Sequence, residues 1–518
     1  MNLRLRIPDW ILLLAFCAFF FFWRLNGFGL IGADEPRYAQ VAREMFERRD
    51  WITPTLGGSP WLEKPPLYYW QAMVAYRIFG VSDWAARLPS ACDASLLVFA
   101  VYWFLRRFRG WALDGALMLA CSAGIVGYAR AASTDMPLAA TFTMGMISWF
   151  AWLDSERRRY LLLSYASLGL AMLAKGPVAP FLAAAMVVIF AAATRTRKIL
   201  GRSLSLSGVL VFSVVTLPWY VLVEMRNPQF LRVFILEHNL ARFSTNLFHH
   251  PEPFWYFIPV TLLGWVPWTV FAVVALVSVV RRIRSQELDS FNTFLLIWIV
   301  VVVVFFSISK SKLPGYVLPA IPAGILLLAN YLRERATAKP HWILLALHGA
   351  ISAALLFAAL VMPAVVFRHR LLWDRSDILP VLVAIAAGIG VATAGIRKLR
   401  VSTAVPAVLA LAVVLRLAAP ALNQTLSVRA VSDALARVSP AHLPVATVLV
   451  SRETEYGLAF YRDQKLPENE LRQPIVGEHL IVAHPGLRET IVRALSGRQI
   501  RYLGSFPAQK LEFFYVSP

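Results

Sequence analysis

Long apolar runs separated by short polar connections dominate this chain. A helix that crosses a bilayer needs roughly 20 mostly apolar residues, and about 13 runs approach that length. They are centred on 8–25, 86–105, 111–129, 134–153, 159–175, 177–193, 205–223, 254–280, 291–308, 313–332, 341–366, 378–396 and 402–420. The pattern predicts an α-helical polytopic membrane domain over 1–420. Three polar stretches are long enough to fold outside the membrane: 26–85, 224–253 and 421–518. In the first, Tyr38, Val41, Ala42, Met45 and Phe46 recur at helical spacing, which predicts a surface helix from Pro36 to Arg49. Leu67 to Phe79 predicts a second, aromatic-rich interfacial helix. In the tail, Val428, Val431, Leu435 and Val438 share a helical face. β-like runs follow at 446–450, 457–461, 479–483, 501–503 and 513–516, with a helix over 487–495. This reads as a small α/β domain with no nucleotide-binding glycine pattern, suited to a scaffold or docking role.

Composition agrees. The chain is 58% hydrophobic and 16% charged, with a mean hydropathy of +0.60. Those values exclude disorder, collagen-like repeats and coiled coils. A net charge of +21 would suggest nucleic acid on a soluble protein, but here the cations cluster between apolar runs and report topology instead. Clusters such as Arg106–Arg107–Arg109, Arg157–Arg158–Arg159 and Arg281–Arg282–Arg284 alternate with charge-poor loops. The opposite side carries few cations: Arg130, Lys175, Lys310, Lys312, Arg368, Arg370 and Arg375. The positive-inside rule puts the N-terminus in the cytoplasm, and the odd number of spans puts the long loops and the C-terminal domain outside. No small-residue cleavage site follows the first run, so an uncleaved signal-anchor is expected. Cys17, Cys92 and Cys121 all lie in apolar runs and form no disulfide pattern.

The candidate chemistry gathers on the outer side. Asp34 and Glu35 stand together before Pro36, Arg37 and Tyr38. One carboxylate would cap a helix; two beside a membrane helix suggest more. Lys64 follows Glu63 and is held in a defined place by the pair Pro65–Pro66, which suits a phosphate. Asp135 opens an apolar helix after Ser133–Thr134. Glu237 and His238 precede Arg242, and two adjacent donors are a weak metal signal. Lys310 and Lys312 precede Leu313–Pro314–Gly315–Tyr316 and run against the charge trend unless an anion sits there. Acids and cations beside apolar helices point to an enzyme acting on lipid-linked, phosphate-bearing substrates at the outer leaflet.

These motifs together resemble the bacterial aminoarabinose lipid A transferases. Those are GT-C-fold glycosyltransferases that use polyprenyl-phosphate donors and are related to protein O-mannosyltransferases. The resemblance rests on Asp34-Glu35-Pro36-Arg37-Tyr38, Glu63-Lys64-Pro65-Pro66, Thr134-Asp135-Met136-Pro137, Glu237-His238-Asn239 with Arg242-Phe243, and Lys312-Leu313-Pro314-Gly315-Tyr316. It covers the first 330 residues in ordered motifs and the remainder in layout. It implies an inverting transfer of 4-amino-4-deoxy-L-arabinose from undecaprenyl phosphate to a lipid A phosphate, a lipopolysaccharide modification associated with polymyxin resistance. It implies a bacterial inner-membrane location and a periplasmic active site. Asp34 and Asp135 would be the catalytic acids. Lys64, Arg242 and Tyr316 would hold the donor phosphate, with Glu35, Tyr38, Lys310 and Lys312 in the substrate site. Glu63 and His238 would be candidates for a structural zinc, with no cofactor needed for chemistry. A monomer is expected. A relative using another amino sugar, an O-mannosyltransferase-like enzyme and a lipid-sugar flippase are the alternatives; a flippase would show internal repeats, and none is found.

The charge asymmetry generates a direct test. Cysteines near 155 and 200 should be shielded from an impermeant reagent added to intact cells, and cysteines near 45, 240 and 470 should react. Labelling at 200 without labelling at 470 would reverse the topology.

Overall fold

The computed structural model describes residues 8–241, 252–285, 289–335, 341–368, 378–439, 443–465 and 475–518. Each expected apolar run is helical. The elements begin with α1 (Asp9–Cys17), extended by a π-helical turn to Phe22, followed by α2 (Asp34–Glu47). A two-residue hairpin, β1 (Thr55–Leu56) with β2 (Ser59–Pro60), leads to α3 (Leu67–Phe79). Then come α4 (Asp83–Phe104), α5 (Ala112–Ala120), α6 (Ala123–Ala129), α7 (Asp135–Ser155), α8 (Arg158–Lys175), α9 (Val178–Ala193), α10 (Lys198–Ser203) and α11 (Leu206–Arg226). Both predicted surface helices are present, and α3 has the predicted bounds.

Among the described residues, seven helices are long and apolar enough to cross a membrane, or nine if each of two bent pairs counts as one span. Shorter apolar helices occupy Asp9–Phe22, Val178–Ala193 and Ile378–Thr393. The runs 111–129 and 254–280 differ from expectation: each is broken rather than straight. α5 and α6 bend by 60°, and Phe254–Gly264 bends by 117° against Thr269–Arg284. The breaks compensate one another. The Ala123 N–H donates to the Val266 carbonyl at 2.8 Å, and the Ser122 hydroxyl bonds back to Met118 O at 2.7 Å. Backbone freed at membrane depth needs such partners. Close approach is possible because glycines face each other: a Cβ at Gly124 would stand 3.1 Å from Gly264 Cα.

A buried ion pair fixes the polar end of this bundle. Arg87 of α4 is 1% exposed. Its Nε and Nη2 donate to the two oxygens of Glu35 at 3.0 and 2.7 Å, and its other donors reach the carbonyls of Leu25, Phe28 and Gly29. The Glu35 carboxylate also accepts from Ile31 N and Ala132 N, both at 2.7 Å. Arg130 closes the preceding turn on the carbonyls of Phe20, Trp23 and Arg24.

The C-terminal domain has a four-stranded sheet in the order β3-β4-β6-β5. Its strands are β3 (Val445–Val448), β4 (His479–Ala483), β5 (Gln499–Phe506) and β6 (Leu511–Ser517). β3 and β4 are parallel, and the other pairs are antiparallel. The expected strand at 457–461 is instead part of the helix Arg452–Arg462. The overlooked signal is a cap: Ser451 Oγ accepts from Thr454 N at 3.3 Å, and Glu453 and Glu455 sit in the first turn.

Removing one member of a buried pair leaves an uncompensated charge, which costs about 3–5 kcal/mol. Arg87→Met should therefore sharply lower the melting temperature of the purified protein. Glu35→Gln combined with Arg87→Met should cost less than the sum of the single changes. Additive losses would mean that the two side chains do not act as a pair.

Candidate active site

The acidic motifs sit at the amino ends of α2 and α7, but neither acid is a cap. The N-cap of α2 is Ala33, and that of α7 is Thr134, without a side-chain cap bond in either case. The carboxylates serve other partners. Asp34 accepts from Arg37 Nη2 at 2.5 Å, while its side chain stays 51% exposed. Asp135 pairs with Lys175, the last residue of α8, and accepts from Ser133 Oγ at 2.8 Å.

Arg37 links the first motif to the second. Its Nη1 lies 3.8 Å from Glu63 Oε2, and Glu63 also accepts from Lys64 Nζ at 3.2 Å. The guanidinium lies over the rings of Tyr38 and Trp61, at 5.0 and 5.3 Å. Lys64 is among the charges acting on Asp135, which connects this group to the third motif. Tyr128, at the end of α6, is within electrostatic reach of both Asp34 and Asp135. The two acids, 101 positions apart in sequence, thus border one site, with Arg37, Lys64 and Lys175 interleaved.

The fifth motif supplies a wall. Gly315 packs against Asp135: a Cβ there would stand 2.7 Å from the Asp135 Cγ. The Tyr316 ring lies under the Lys175 ammonium, 4.7 Å away, and against Phe306 and Phe257. Beside it opens an apolar groove of about 320 Å³ between the two bent helix pairs, with Tyr128 and Pro314 at its rim and Val260, Leu263 and Val317 along it.

Several residues selected from sequence have other engagements. Glu35 is the buried partner of Arg87, and its two oxygens already accept four hydrogen bonds, the full capacity of a carboxylate. It shapes the site without facing a ligand, which corrects its grouping with the substrate-binding residues. Lys312 is buried and donates to Ser309 O at 2.6 Å, tying its own loop, whereas Lys310 is exposed. Tyr38 is buried between Tyr68 and Tyr69. Burial, then the negative charge of Asp34, raises its phenol pKa, so Tyr38 remains a neutral hydroxyl. Arg242 and the side chain of His238 lie outside the described residues.

Glu63, one of the two expected zinc ligands, has cationic neighbours among the described residues. Two cations, Arg37 and Lys64, already lie on this carboxylate. Among the described residues, no three His, Cys, Asp or Glu side chains converge to hold a metal. Sequence reasoning missed Arg37, Arg87, Arg130 and Lys175 as site-forming residues. For Arg130 and Lys175 the signal was available, since both are cations on the charge-poor side.

Comparison with known proteins agrees with this geometry. Residues 63–221 match the family of dolichyl-phosphate-mannose-protein mannosyltransferases. The chain is 30% identical over 351 residues to the undecaprenyl phosphate-α-4-amino-4-deoxy-L-arabinose arabinosyl transferase of Yersinia enterocolitica, covering 66% of this chain and 62% of that protein. Against the enzyme of the same description from Serratia proteamaculans, identity is 30% over 337 residues, or 63% and 60% of the two lengths. The aligned region thus spans under two thirds of either relative. The crystal structure of ArnT from Cupriavidus metallidurans bound to undecaprenyl phosphate superposes with a TM-score of 0.80 at 24% identity, covering 98% of this chain and 97% of that one. Its apo form gives 0.79. The chain therefore shares the fold of that solved structure over almost its whole length.

Gly315 offers a test that leaves every charge in place. In Gly315→Ala the new methyl group must displace the Asp135 carboxylate, so any activity that depends on this site should fall at least about tenfold while expression and melting temperature stay near wild type. Unchanged activity would show that Asp135 tolerates displacement and has no positional role.

Proposed function

We propose that this protein transfers 4-amino-4-deoxy-L-arabinose from undecaprenyl phosphate to a phosphate of lipid A, at the periplasmic face of a bacterial inner membrane. The observation that carries the reading is the interleaving of Asp34 and Asp135 with Arg37, Lys64 and Lys175 beside an apolar groove. The relatives' names supply the sugar and the carrier.

The chemistry follows from charge. In the transfer, the bond between the anomeric carbon and the donor phosphate oxygen breaks, and undecaprenyl phosphate leaves with the electron pair. A lipid A phosphate oxygen forms the new bond from the opposite face, which inverts the centre. The leaving phosphate gains negative charge as this bond breaks, so Lys64, with Tyr316 and Arg242, stabilises the transition state more than the ground state. The acceptor phosphate has a second pKa of about 6 and is already a nucleophile near pH 7, so no general base is required. Asp34 and Asp135 then face the positive charge of the oxocarbenium-like centre and of the sugar's ammonium. The apolar groove beside Tyr128 and Pro314 suits the first isoprene units of the carrier. No cofactor enters this scheme, and the enzyme acts as a monomer.

The mannosyltransferase match at 63–221 favours a second reading, in which the acceptor is a protein hydroxyl and Asp34 is its base. Mass spectrometry of lipid A from cells with and without the protein separates the readings. A gain of one pentosamine supports the proposal, one hexosamine changes the sugar, and an unmodified lipid A overturns it.

Within this reading, Asp34→Asn and Asp135→Asn should each express normally and each lose most activity, because Asn keeps the shape and removes the charge. The double variant should be little worse than either single one. Lys64→Ala should lower the rate on the order of 10²-fold. Full lipid A modification by a well-expressed variant would remove that residue from the site.

A further inference from the structure

A second groove lies away from the acid–cation cluster and has no part in the transfer described above. It holds about 580 Å³ between the carboxyl ends of α2 and α3, lined by Phe46 and Met73 on the inside and by Trp51, Val74 and Ile78 on the outside. That volume falls in the range of ligand sites, roughly 300–1,000 Å³. Its outer edge is apolar and open: Trp51 and Val74 are each 48% exposed and Ile78 is 64% exposed, continuing into Phe79. Exposed apolar side chains on a helix beside membrane spans belong in the headgroup and acyl boundary.

Two cations stand at this groove, Arg49 and Arg77. Both are exposed, and neither has a carboxylate partner among the described residues. The acid at the groove, Glu47, is taken by Arg43 Nε at 2.7 Å. Arg49 also holds a left-handed backbone, φ +53, that redirects the chain after α2 towards Trp51. Unpaired guanidinium groups over an apolar floor complement a molecule with one anionic headgroup and a hydrocarbon tail.

We propose that this groove binds an anionic glycerophospholipid of the surrounding membrane. Its phosphate lies between Arg49 and Arg77, and an acyl chain runs along Val74, Ile78 and Trp51. The site is independent of the sugar and of the transfer reaction. Such a lipid would hold α2 and α3 in the headgroup plane, and α2 carries Asp34 and Arg37 at its other end.

The full-length protein in detergent is mixed with phosphatidylcholine and phosphatidylglycerol in equal amounts, repurified, and its retained lipid measured by mass spectrometry. Wild type should keep phosphatidylglycerol in preference. The Arg49→Gln/Arg77→Gln variant should keep it at least about fivefold less. Arg107→Gln/Arg284→Gln, which removes the same charge elsewhere, should behave as wild type. The variant Arg49→Lys/Arg77→Lys, with charge retained, should recover part of the preference and provides the comparison if the Gln pair folds poorly. Three outcomes overturn the proposal: equal retention of both lipids by wild type, undiminished preference in the well-folded Gln variant, or an equal loss in the control.

Discussion

Arg87 and Glu35 determine where the chemistry can stand. A buried charge pair is costly to desolvate, and hydrophobic residues of similar size would often be no less stable. What this pair contributes is placement. The Glu35 carboxylate joins the start of α2 to Ile31 and to Ala132, and Arg87 joins it to α4 and to the carbonyls of Leu25, Phe28 and Gly29. Asp34 is the residue before Glu35, and Asp135 is three positions after Ala132. Two acids from distant parts of the sequence are thereby brought to one end of the bundle by a knot that neither of them enters.

The knot alone does not orient Asp135. That task falls to the end of α8 and to the turn after the helix Ser290–Ile308. Lys175 fixes one carboxylate oxygen, Ser133 fixes the other, and Gly315 leaves the space the group occupies. Lys175, paired with Asp135 and lying over Tyr316, brings a cation to a wall otherwise made of aromatic rings. Charge is thus balanced within the site before any ligand arrives. Any incoming anion competes for cations that already have partners, which favours a preorganised site over a loose basic patch.

Much of this was legible in the sequence, for definable reasons. Apolar run length dictates helices because lipid leaves the backbone no other partner, so each predicted span is helical. The spacing of Tyr38, Val41, Ala42 and Met45 located α2, since helical periodicity survives in a surface element. The breaks at 121–122 and 265–268 were hidden because the compensating bond, Ala123 to Val266, joins residues far apart in sequence. The roles of Arg87 and Glu35 were hidden for the same reason: an arginine inside an apolar helix shows its position but not its partner. Glu35 consequently read as a second site acid beside Asp34. At 457–461 the apolar spacing suggested a strand, and the cap at Ser451 decided for a helix.

The C-terminal domain grips the same loop as the buried knot. The Tyr461 hydroxyl accepts from Leu30 N at 2.7 Å, Asn423 accepts from Gly29 N at 3.0 Å, and Arg429 pairs with Asp83 at 2.7 Å. Ile31 forms a backbone bridge to Ser427. On α2 itself, Arg43 reaches Phe460 O at 2.9 Å and Asp463 at 2.5 Å. The helix Arg452–Arg462 also sends Tyr456 over Arg37, 5.9 Å from the guanidinium. A domain attached only by its linker would leave α2 free to pivot about Glu35, and Asp34 and Arg37 would move with it. Clamped along α2 and at the loop before it, the helix is held from both sides. The docking role expected of the tail therefore has a physical content: it restrains α2, a solvent-side helix that carries site residues.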